Sequence, residues 1–195
     1  TCSCLKMVWT AMAYNQGKRV KPIWDLDTIN FMSSNQDILV PDSDEPILIW
    51  DIGGILRNRP NPSSLKLNPD NKIYVDFGLT WGEDIIDLIM LDRGKVILPL
   101  RNLQGFNELD AALVYAEDIT IGIDWSDTVK SSSTDFSIDI VKLLHQLHQR
   151  GQTDILIYSL VGELPYIPAG TAANFNINLA YLTESRIQPQ WANGV

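Results

Sequence analysis

Cysteine and histidine are almost missing from this chain of 195 residues: Cys2, Cys4, His145 and His148 are all there is of either. A Cys-x-Cys pair on a strand points both thiols to one face but strains a direct disulfide, and it offers too few ligands for a metal. A disulfide framework is thereby excluded, so nothing demands an oxidising compartment. His145 and His148 would share one face of a helix, yet no third histidine and no suitably spaced acidic or cysteine pair completes a metal set. Any Ser–His–Asp triad would have to use one of these two, and no Gly-x-Ser-x-Gly elbow accompanies them. Phosphate-binding glycine loops of the Gly-x-x-x-x-Gly-Lys or Gly-x-Gly-x-x-Gly type are also absent. No apolar run reaches the roughly 18 residues of a membrane span. These absences lead to an expectation of no catalytic residues, no cofactor and no membrane partner.

Positive charge is scarce as well. Fifteen Lys and Arg face 24 Asp and Glu, for a formal charge of −9. Such a surface disfavours general binding to nucleic acid. The deficit is uneven, because residues 1–24 carry Lys6, Lys18, Arg19 and Lys21 and no acid. An N-terminal arm or hairpin at +4 is the one segment that could touch nucleic acid or an acidic neighbouring subunit, and a solvated hairpin face is the simpler reading.

The chain does have enough apolar residues, 45% against 20% charged, to bury a core, and one domain over 1–195 is the expectation. Its clearest signal is apolar alternation with small polar partners: Ile119-Thr120-Ile121-Gly122-Ile123-Asp124-Trp125, then Phe175-Asn176-Ile177-Asn178-Leu179-Ala180-Tyr181. Side chains of a strand alternate between faces, and half-polar strands belong to antiparallel sheets with one face packed and one face wet. The expected fold is therefore mainly β: an antiparallel β-sandwich, jelly-roll-like, with one short helix over 142–149, where Leu143, Leu144 and Leu147 share a side. Hairpins are expected over 8–24, turning at Asn15-Gln16-Gly17, and over 65–77, turning at Asn68-Pro69-Asp70-Asn71. Residues 47–52, 95–100, 119–125, 136–140, 154–160 and 174–182 read as strands. Residues 83–90 and 103–116 fit either period.

Two acidic groups have the density of a cation loop: Asp42, Asp44 and Glu45, a possible metal site, and Asp124, Ser126 and Asp127. Neither has EF-hand spacing, and solvated turns are the simpler reading. Of six tryptophans, Trp50 and Trp125 sit in apolar strands and read as core. Trp9, Trp24, Trp81 and Trp191 are interface candidates, or stacking platforms of a carbohydrate-binding β-sandwich module.

Three resemblances bear on function. The segment 136–181, with Ile167-Pro168-Ala169-Gly170-Thr171 before an alternating strand, resembles β-sandwich structural proteins of virions, such as capsid, decoration or tail proteins. That resemblance implies a non-catalytic protein, self-assembling as a homo-oligomer or with other shell proteins, located in a virion or other large assembly and otherwise soluble. The segment 47–162 resembles β/α-barrel enzymes of the histidine-biosynthesis isomerase type. There Ile49-Trp50-Asp51-Ile52-Gly53-Gly54, Tyr74-Val75-Asp76-Phe77-Gly78-Leu79 and Ile121-Gly122-Ile123-Asp124 give strands ending in aspartate. It implies Asp51 and Asp124 as acid and base, in a cleft where Asp76 joins them. Ile-Trp-Asp-Ile-Gly-Gly is also similar to the first motif of haloacid-dehalogenase-like phosphatases, with Gly53 in place of that motif's second aspartate. The leading expectation is the structural shell protein, and the barrel enzyme and the sugar-binding module are its alternatives.

Overall fold

A computed structural model describes residues 5–15, 18–24, 29–37, 46–65, 72–90, 94–117, 119–159 and 165–182. Ten strands form one sheet: β1 (Leu5–Asn15), β2 (Lys18–Trp24), β3 (Ile29–Asp37), β4 (Ile47–Asp51), β5 (Ile73–Asp76), β6 (Lys95–Pro99), β7 (Thr120–Ser126), β8 (Thr128–Lys130), β9 (Asp154–Ser159) and β10 (Asn176–Leu182). Among the described residues, five α-helices intervene: α1 (Ile52–Arg57), α2 (Ile85–Met90), α3 (Phe106–Leu113), α4 (Ile140–His148) and α5 (Ala169–Ala172).

The pairings β1–β4, β4–β5, β5–β6, β6–β7, β7–β9 and β9–β10 are all parallel. The sheet curls until β10 pairs with β1, again in parallel. Among the described residues, only β2, β3 and β8 run antiparallel to their neighbours. This is an α/β fold, and it overturns the antiparallel sandwich and its jelly-roll variant. The expectation of a single helix falls with them.

The alternation in β7 is real, but its cause is different. Ile121 and Ile123 face outward into a large apolar cluster with Leu109 of α3 and Leu143, Leu144 and Leu147 of α4. The opposite face turns into the curl, where Ala11, Ala13, Leu48, Trp50, Ile97, Leu156, Tyr158 and Ala180 form a second, smaller cluster. Strands wrapped round a narrow interior need small or polar residues on that side, with interior and exterior positions alternating along each strand. Gly122 shows how tight the space is, since a Cβ there would lie 2.8 Å from the Tyr158 hydroxyl. A small, crowded interior and a water-facing wall therefore leave the same period of two in the sequence.

Local signals agree with the structure where they do not depend on strand direction. Asp139 caps α4 by accepting from the Lys142 N–H at 2.9 Å. The Leu143, Leu144 and Leu147 side chains are fully buried, each worth about 1.5–3 kcal/mol. Gly151, at φ 75°, follows the helix and returns its N–H to the His148 carbonyl. Two ambiguous stretches resolve as helices, α2 and α3. β1 and β2 form the expected hairpin, Ala13 opposite Val20, but β1 also lies between β4 and β10 as part of the curled sheet and is no detached arm. β5 is flanked by parallel β4 and β6 and is not the second arm of a 65–77 hairpin. Residues 136–139 are irregular: Phe136 is buried against Phe106 with ring centroids 4.8 Å apart, and Ile138 is exposed. Among the described residues, no helix is long and apolar enough to cross a membrane.

Candidate functional site

Parallel strands bring all their carboxyl ends to one edge of the sheet, where ligand sites of α/β folds are built. Asp76 is the last residue of β5, Asp124 lies near the end of β7, and Tyr158 near the end of β9. Register places them together, with Trp50 beside Asp76 and Asp124 beside Tyr158. All four side chains are buried.

Arg101, two residues beyond the end of β6, joins the group. Its Nη2 donates to Asp76 Oδ2 at 3.0 Å and to Asp124 Oδ1 at 3.1 Å, and its Nε donates to Asp124 Oδ2. Nη1 donates to Asn102 Oδ1 at 3.0 Å, which in turn is tied to the Ile55 carbonyl through Nδ2 at 2.9 Å. The other Asp76 oxygen accepts from the Gly78 N–H at 2.8 Å. Tyr158 Oη donates to Asp76 Oδ2 at 3.2 Å, and its ring meets Trp50 edge-on with centroids 5.3 Å apart.

Two carboxyls and one guanidinium make this a buried cluster with one negative charge in excess. Burial raises the Asp124 pKa above the usual carboxylate range; Arg101 opposes the rise and Asp76 adds to it. For Arg101 burial favours deprotonation, but Asp124 and Asp76 outweigh it and hold the guanidinium charged. The Tyr158 phenol is pushed up by burial and then by Asp76. A site arranged in this way sets two carboxyls, one of them with a raised pKa, beside a fixed cation, groups that acid–base chemistry on a small molecule can use.

Asp51 does not join this cluster. It is fully buried and caps α1, accepting from the Gly54 N–H at 3.2 Å and, through the other oxygen, from the Asn61 N–H at 2.7 Å. Burial raises its pKa, against the pull of those N–H groups and the Tyr14 hydroxyl. Burial and then Asp51 push the Tyr14 phenol up in turn. The local sequence explains the turn: Gly54 lies so close to the chain leaving β5 that a Cβ would stand 2.0 Å from the Phe77 carbonyl oxygen. Beside Asp51 lies a cavity of about 270 Å³, lined also by Asn15, Gly53, Arg57, Arg59 and Asn61.

The cleft expected to unite Asp51, Asp76 and Asp124 is thus divided, with two of them on Arg101 and the third at a helix cap. Sequence reasoning missed Arg101 and Tyr158. Their only signal was position: Tyr158 stands on the inward parity of β9 and Arg101 just past the carboxyl end of β6, which has meaning only once the strands are parallel. Among the interface candidates, Trp81 is half-exposed. Trp9 and Trp24 lie on β1 and β2, with side chains outside the described residues, as are Trp191, Asp42, Asp44 and Glu45 altogether. His145 and His148 are exposed on α4, and Asp127 forms the turn between β7 and β8 at φ 64°. Among the described residues, no group of three or more His, Cys, Asp and Glu is placed to hold a metal ion. No protein-family model matches the chain, and no curated protein matches it.

Proposed function

We propose that this protein is a β/α-barrel enzyme of the isomerase type, moving a proton at a carbon next to a carbonyl or imine. The observation that supports it is the convergence of Asp76 and Asp124, from two strands of the parallel sheet, on the one guanidinium of Arg101. Asp124 is the proton carrier, since burial raises its pKa and makes the protonated form easier to reach than in an exposed carboxyl. Arg101 stabilises the negative charge that develops on the substrate oxygen or nitrogen as the proton leaves carbon. Asp76, held by Gly78 and Tyr158, fixes Arg101 in place. The shell-protein reading had the antiparallel sandwich as its premise, and the parallel fold removes that premise.

The test is exchange of carbon-bound hydrogen for deuterium in heavy water, followed by proton NMR on a panel of small α-hydroxy aldehydes, ketones and their phosphates. The native protein should wash deuterium into at least one of them, and Asp124→Asn should slow that exchange by about 10²-fold or more. Exchange that proceeds equally well with Asp124→Asn would refute the assignment.

A further inference from the structure

The two aspartates hold the Nε and Nη2 corners of the Arg101 guanidinium. Its third corner, Nη1, donates to Asn102 Oδ1 at 3.0 Å. Asn102 is only half-buried, so its amide needs a second anchor before it can support anything. That anchor is the Ile55 carbonyl, which accepts from Asn102 Nδ2 at 2.9 Å. Ile55 lies in the last turn of α1, where a helix cannot supply partners for all of its carbonyls.

These two partners dictate the residue type. A guanidinium only donates and a carbonyl only accepts, so the side chain between them must offer one acceptor and one donor. The asparagine amide does both in a single orientation. Leucine would do neither, and an ionised aspartate only the first.

The same turn of α1 also bears on Asp76. At Gly78, with φ 66°, a Cβ would stand 2.3 Å from Ile55 Cα. The Gly78 N–H donates to Asp76 Oδ1 at 2.8 Å. The backbone at Ile55 therefore meets both the residue that orients Asp76 and the residue that holds the third corner of Arg101.

We infer that Asn102 is a positioning residue, fixing the Arg101 guanidinium against α1 in the orientation that proton transfer requires. Its consequence for rate rests on the proton-transfer reading; its hold on Arg101 does not.

Proton–nitrogen NMR of the arginine side chains tests that hold, the Arg101 signals being those lost in Arg101→Lys. In the native chain Nη1 and Nη2 should give separate signals that interchange slowly. Asn102→Leu and Asn102→Ala should each speed the interchange about tenfold or more, as expected for the loss of a hydrogen bond to a charged group. On whichever substrate the native protein accepts, both should lose about 10- to 10²-fold in kcat for deuterium exchange, with KM little changed. Asn102→Asp keeps an acceptor for Nη1 but cannot donate to Ile55, so it should keep the interchange slow and still lose kcat. An interchange rate unchanged in folded Asn102→Leu or Asn102→Ala, or a native kcat in Asn102→Asp, would overturn the inference. Faster interchange in the variants of a protein that exchanges no substrate would instead remove the proton-transfer reading and leave the hold of Asn102 on Arg101 standing.

Discussion

Arg101 and Asp124 are joined twice, Nε to Oδ2 and Nη2 to Oδ1, and the same Nη2 reaches Asp76. Removing the cation would strand two buried carboxyls. Arg101→Met should therefore cost about 3–5 kcal/mol at neutral pH, with part of the loss recovered in acid as Asp124, whose pKa burial already raises, takes up a proton. Arg101→Lys should recover little, because an ammonium cannot make the forked contact. Urea melts at two pH values check both statements.

Tyr158→Phe removes one hydroxyl and keeps the ring that packs on Trp50. The expected loss is about 1 kcal/mol. In the exchange assay the variant should lose rate and keep substrate affinity, since the hydroxyl acts on Asp76 and through it on Arg101. A change confined to affinity would contradict that role.

Two glycines separate close packing from helix propensity. Gly54→Ala puts a Cβ 2.0 Å from the Phe77 carbonyl oxygen, and the backbone must move. Destabilisation at or above the upper end of the roughly 1–3 kcal/mol range for overpacking is expected. Gly170→Ala, inside α5 with nothing within 4 Å of the new Cβ, should instead gain about 0.5–1 kcal/mol. Thermal unfolding of the pair distinguishes them by sign.

Asp51 gives a pH signature. Burial raises its folded pKa above the unfolded value, so the folded state holds more protons across the interval between the two. Stability from this group then falls as pH rises from about 4 through the folded value. Asp51→Asn abolishes the titration and keeps a capping oxygen for Gly54, though its amide cannot accept from Asn61. The stability advantage of the native chain over Asp51→Asn should shrink as pH rises, measured by urea midpoints between pH 4 and 8. An advantage that grows over that range would show the opposite linkage.

Much of the chain is legible in its amino-acid sequence. The apolar pattern of residues 119–125 marks β7, and the leucine spacing with Asp139 and Gly151 brackets α4. The motif from Ile49 to Gly54 marks a strand ending in aspartate, but it gives no sign of the helix that Asp51 caps. The aspartates at the ends of β4, β5 and β7 are legible as chemistry under the barrel resemblance, but not their division between two sites. That division depends on Arg101 and on the Asn61 N–H, which come from loops whose paths no periodicity encodes.

What the sequence by itself determined was local: where strands and helices lie, which side of each is apolar, and that acids stand at strand ends. Hydrogen bonding and side-chain alternation act within a few residues, so they can be read in line. Strand direction, the return of β10 to β1 and the meeting of Asp76, Arg101 and Asp124 were decided by the tertiary structure alone. A polar inward face is the same pattern whether it meets water or a crowded interior, and only the closure of the sheet tells the two apart.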